Sequence, residues 1–191
     1  MKELGDQAAE VEWRYGAFEL DPTIPLEGVD ARAYLEAKYD AAAVAEIHRR
    51  LAAVAAAEGL PMRDLAEQGL RPNTFAAHRL LTAALAGGEA VQRALADGLF
   101  RAYWVDGADI GDEEVLVRLA VGAGMSAERA RPALQDGVVA EAAREQENEA
   151  HLAGIRAVPT FVFDGRFAVS GAQPPEILAH AVRQALATTG S

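Results

Sequence analysis

The stretch from Gly154 to Leu186 constrains this chain most. Pro159 to Phe163 and Arg166 to Ser170 are two short runs of β-branched and aromatic residues, separated by Asp164-Gly165. A two-residue Asp-Gly link between such runs is a strong hairpin signal, because type I′ turns need positive φ at both positions. Gly171, Ala172 and Gln173 then lead into Pro174-Pro175, suited to a helix entry whose first amides lack partners anyway. Ile177, Leu178, Ala181, Val182 and Leu186 recur at helical spacing, so the last helix is expected to bury that stripe. Pro159 gives the first strand a start with no ladder donor.

Upstream, Val11, Trp13 and Tyr15 alternate with Glu12 and Arg14, which predicts a half-buried strand. A proline-punctuated loop follows from Thr23 to Gly28. From Asp30 the pattern turns helical. Asp30 is placed to cap a helix carrying Tyr34, Leu35 and Tyr39. Further helices are expected over Ala42–Glu58, Asn73–Leu85, Glu89–Trp104, Asp112–Ala123, from Ser126, and over Gln135–Ala153. The organisation is strand, helical block, hairpin, helix.

That layout, with Val158-Pro159 opening the hairpin, resembles a thioredoxin fold of the DsbA-like kind, an α/β fold with a large inserted helical block. Three phrases carry the resemblance: Trp13 to Leu20, Arg71-Pro72-Asn73-Thr74-Phe75-Ala76-Ala77-His78-Arg79-Leu80, and Leu99-Phe100-Arg101-Ala102-Tyr103-Trp104 followed by Gly107 and Asp109-Ile110. The wording of the C-terminal hairpin and helix is similar, more narrowly, to the FrnE type of DsbA-like protein. The resemblance spans residues 9–187. It implies residues 1–29 with 154–191 as the thioredoxin-like part and 30–153 as the inserted helical domain. It also implies a cis Val158–Pro159 bond facing the redox site, and protein or peptide dithiol and disulfide substrates.

The chain has no cysteine among its 191 residues. Thiol–disulfide exchange needs a thiolate nucleophile and a second thiol to resolve the mixed disulfide, so no catalytic residue is assigned in this chain. The resembled family carries a Cys-x-x-Cys at the start of its first helix, where the helix dipole lowers the attacking thiol's pKa. Met1 to Gln7 reads as the tail of that helix. The expectation is that the first strand and most of the first helix, roughly 25–35 residues, are absent. Three explanations stay open: a shortened N-terminus, a cysteine-free relative with a non-redox role, or a glutathione-dependent isomerase branch using serine. The earliest serine is Ser126.

The resemblance places substrate contacts at Val158, Pro159, Gly171, Ala172 and Gln173, with Asn73, Phe75 and His78 on a helix that could roof the groove. Asn73 is equally suited to cap that helix, and Phe75 and His78 to pack within the block. A net charge of −11, from 29 acidic and 18 basic residues, argues against nucleic acid and anionic membrane partners. No apolar run approaches the ~20 residues a membrane helix needs. The histidines His48, His78, His151 and His180 are scattered, so neither metal nor cofactor is expected. Met1 to Glu10 is acidic and lacks the apolar core of a signal peptide, which points to the cytoplasm. Without a central strand, the strands matched by Val11–Tyr15 and Thr160–Phe163 would leave open edges, so a homodimer is expected.

Overall fold

Leucines at helical spacing make the core of the larger unit. The computed structural model describes residues 2–64 and 67–189. These fall into two units, one running from Arg14 to Glu147, the other joining the residues up to Trp13 with those from Asn148 onward. In the larger unit β1 (Val29–Asp30) leads directly into α1 (Ala31–Lys38) and then α2 (Ala41–Ala57). After β2 (Leu70–Arg71) come α3 (Phe75–Ala84), α4 (Glu89–Trp104), α5 (Glu113–Gly122), α6 (Ala127–Ala133) and α7 (Gly137–Leu152), whose last turns belong to the smaller unit. Leu80 of α3, Leu95 and Leu99 of α4, Leu116, Val117 and Ala120 of α5, and Ala130 and Ala133 of α6 form one buried cluster. The alanines matter as much as the leucines, because small side chains let the helices approach closely.

The helix starts follow the capping residues. Asp30 accepts from Ala33 N at 2.7 Å, Asp40 from Ala43 N at 2.8 Å and Asp112 from Val115 N at 2.9 Å. Each satisfies an amide that has no partner inside its helix. Ser126 stands at the start of α6 without a side-chain cap bond. The short antiparallel pairing of β1 with β2, Val29 opposite Arg71 and Asp30 opposite Leu70, had no sequence signal.

The expected strand over Val11–Tyr15 is a correction. Burial does alternate along this run, with Val11, Trp13, Tyr15, Ala17 and Glu19 turned inward, but no strand ladder forms. Val11 N donates to Ala8 O, and the amides of Tyr15, Ala17 and Glu19 are taken by side chains instead of a neighbouring strand.

In the smaller unit a 3₁₀ stretch, Lys2–Glu10, is interrupted at Gly5. It packs against α8 (Pro175–Thr189), and Arg183 Nη2 donates to the carbonyl of Glu3. β3 (Thr160–Phe163) pairs antiparallel with β4 (Phe167–Ser170), and Phe163 and Phe167 stack at 5.1 Å. Asp164 and Gly165 have φ of 51° and 66°, the signs a type I′ turn requires. Arg166 N closes the turn on Phe163 O at 2.9 Å, and Arg166 itself stays in the connection rather than opening β4. The apolar stripe of α8 also shifts. Ala179, Ala181 and Ala185 are buried, whereas Ile177 is 48% exposed. Among the described residues no helix is long and apolar enough to cross a membrane.

Candidate functional site

The hairpin positions the first group of predicted site residues. The Val158–Pro159 peptide is cis. Pro159 O accepts from Gly171 N at 2.8 Å, so the ladder of β3 and β4 continues one pair beyond the strands themselves. In an antiparallel pair the bonded residues alternate. With Pro159, Phe161 and Phe163 facing β4, the amides and carbonyls of Thr160 and Val162 point to the opposite edge of β3. Val158 and Val162 are about half exposed there. Thr160 Oγ1 donates to Ala157 O at 2.8 Å and holds the turn into the strand. Ala172 and Gln173 are exposed, and Gln173 Nε2 donates to Ser170 O at 2.9 Å. Trp13 meets the Phe161 ring edge-on at 6.0 Å. Val158, Pro159, Gly171, Ala172 and Gln173 thus share one end of the hairpin.

Asn73, Phe75 and His78 belong to the larger unit, around the start of α3. Asn73 is buried and does two structural jobs: its Nδ2 donates to Ile24 O at 2.7 Å and its Oδ1 accepts from Phe75 N at 2.9 Å. The cap position itself is Thr74. Both polar ends of the Asn73 amide are therefore engaged. His78 is half-buried and hydrogen-bonded to the backbone of Phe18, while its Nδ1 is enclosed without a partner. Burial lowers its pKa, so the ring is held neutral.

Around these residues lies a polar cluster that the sequence reading missed. Glu19 and Glu147 are both buried, and Arg144 Nη1 reaches Glu19 Oε2 at 2.5 Å and Glu147 Oε2 at 2.7 Å. The Arg144 guanidinium also lies over the Phe75 ring, 3.5 Å from its centroid. Glu147 Oε1 accepts from Glu19 N at 3.1 Å, Gln146 Oε1 from Ala17 N at 2.9 Å, and Gln92 bonds both the N–H and C=O of Tyr15. Tyr15, Ala17 and Glu19, alternate residues of the extended run, are thus each held by a side chain of α4 or α7. The one available signal was the inward parity of Tyr15, Ala17 and Glu19; nothing local marks Glu147 as buried on so polar a helix.

Two buried carboxyl groups share one guanidinium here. Burial pushes the Glu19 carboxyl above its ordinary value, against the pull of Arg144. A group whose folded pKa is raised binds its proton more tightly when folded. Its stabilising contribution is complete below the ordinary glutamate range and is lost as pH rises through the raised value. Glu19→Gln is therefore expected to flatten the fall in stability as pH rises above the ordinary glutamate range. Urea denaturation at a series of pH values checks this, and parallel curves for the two proteins would contradict it.

Comparison with known proteins agrees with this architecture. The family model for a DSBA-like thioredoxin domain matches residues 1–183. The fold is similar to that of a probable DsbA oxidoreductase from Streptomyces coelicolor. The match has a TM-score of 0.83 and 35% identity, and covers 97% of this chain and 81% of that one. It is also similar to a candidate protein disulfide isomerase from Nitrosomonas europaea, with a TM-score of 0.61, 22% identity, and coverage of 75% and 72%. The latter likeness concerns the fold alone. No curated protein matches the chain. On the family match and the Streptomyces likeness together, the chain belongs to the DsbA-like thioredoxin-domain family.

Proposed function

We propose that this chain is a member of the DsbA-like dithiol–disulfide oxidoreductase or isomerase family, of the FrnE type, that docks substrate and is redox-inactive in this cysteine-free form. The observation that carries the reading is a fully formed hairpin end, Pro159 closed on Gly171 with Val158 and the outer edge of β3 open, in a chain with no cysteine. An open strand edge takes an extended peptide by adding it as a further strand. What the chain does by itself is hold such a segment, as a chaperone-like module would, without acting on its sulfur. In this reading residues 1–29 with 154–191, which include β3, are the thioredoxin-like part, and 30–153 are the inserted helical domain, with Asn73, Phe75 and His78 at the start of α3. The substrates are protein or peptide dithiols and disulfides, the location is the cytoplasm, and the open edge of β3 favours a homodimer.

Titration of ¹⁵N-labelled protein with an extended, cysteine-free peptide tests the docking. The amides of Thr160 and Val162 are expected to shift saturably. Val162→Pro removes an outward donor while leaving the bonds to β4 intact, so it is expected to weaken binding. Shifts confined to residues outside 157–173, or undiminished binding by Val162→Pro, would contradict the reading.

A further inference from the structure

A cavity of ≈ 460 Å³ opens between α2 and the segment that returns along it, lined by His48, Arg49, Ala52, Ala55, Ala56, Leu60, Met62, Arg63 and Asp64. Its size lies within the range of small-ligand sites, roughly 300–1,000 Å³. The alanines with Leu60 and Met62 supply an apolar lining. The basic side chains differ in their engagement. Arg49 is committed to Glu46 through both oxygens. Neither Arg63 nor His48 has a side-chain partner among the described residues, in a chain carrying 29 acidic groups.

Arg63 is nevertheless well placed. Its backbone N donates to Trp104 O at 2.9 Å, and its guanidinium lies where residue 107 has no side chain. A Cβ at Gly107 would stand 1.4 Å from Arg63 Nη1, so only glycine leaves that seat open. The result is a half-buried, fork-shaped donor set that no carboxylate among the described residues hydrogen-bonds.

We propose that this cavity binds a small amphipathic monoanion, a carboxylic acid whose head pairs with Arg63 and His48 and whose apolar tail covers Ala52, Ala55 and Ala56. Asp64 also lines the cavity, and a second negative charge on the ligand would face it, which selects a monoanion over a dianion such as phosphate. The site is independent of the docking edge on β3, so the two readings fail separately.

Calorimetric titration with octanoate, with octanol as the neutral control, tests the site. Saturable octanoate binding is expected, about tenfold weaker for octanol and for Arg63→Gln, since a charge-assisted hydrogen bond is lost in each. Absence of saturable binding, or equal affinity for the alcohol, would overturn the proposal. If Arg63→Gln lowers the melting temperature, chemical-shift mapping on the wild-type chain decides instead. Octanoate-induced shifts centred on His48, Ala52 and Ala56 support the site, and shifts confined to other residues overturn it.

Discussion

Replacing Gln92 by leucine is expected to destabilise the larger unit by about 3 kcal/mol, because three half-buried backbone groups lose this partner at roughly 1 kcal/mol each. Gln92 is 1% exposed. Its Oε1 accepts from Tyr15 N at 2.9 Å, and its Nε2 donates to Tyr15 O at 3.0 Å and to Leu81 O at 3.1 Å. Leucine fills a similar volume, so the cost comes from the unsatisfied polar groups rather than from a cavity. It is large against a typical total stability of about 5–15 kcal/mol. Urea denaturation checks it. A cost below about 1 kcal/mol would mean that water or another side chain replaces the amide, and that the extended run is not held as described.

That role for Gln92 shows where sequence reasoning stopped. The period-two pattern of Val11, Trp13 and Tyr15 correctly marks an extended, half-buried run, and it continues through Ala17 and Glu19. Periodicity reports which face is inside. It says nothing about who takes the backbone hydrogen bonds, and here glutamine and glutamate side chains 77 and 128 positions away do so. The pairing of β1 with β2, some forty residues apart, was hidden for the same reason.

Local signals fared better. Asp30 and Asp112 cap the helices they were expected to begin, and α4 runs over Glu89–Trp104 as its spacing predicts. The Asp164-Gly165 turn has its positive φ angles, although Arg166 is drawn into the connection. The candidate site was legible in its hairpin half, where chain order brings Val158, Pro159 and Gly171 together. It was illegible around Asn73 and His78. There the decisive facts are burial of Glu19 and Glu147 and the reach of Arg144, which depend on three segments far apart in sequence.

The second large effect is chemical. A polypeptide without a thiol cannot form the mixed disulfide through which exchange proceeds, and methionine offers no thiolate to replace it. If the open edge of β3 docks substrate as proposed, only the nucleophile is missing from this chain, so joining a β-strand and a Cys-x-x-Cys helix of this family ahead of it is expected to confer catalysis. The direct measurement is dithiothreitol-driven insulin reduction by the two purified proteins, side by side. The 191-residue chain is expected to give the rate of the blank and the extended one a rate well above it. Acceleration by the cysteine-free chain, or none by a folded extended chain with titratable thiols, would contradict it.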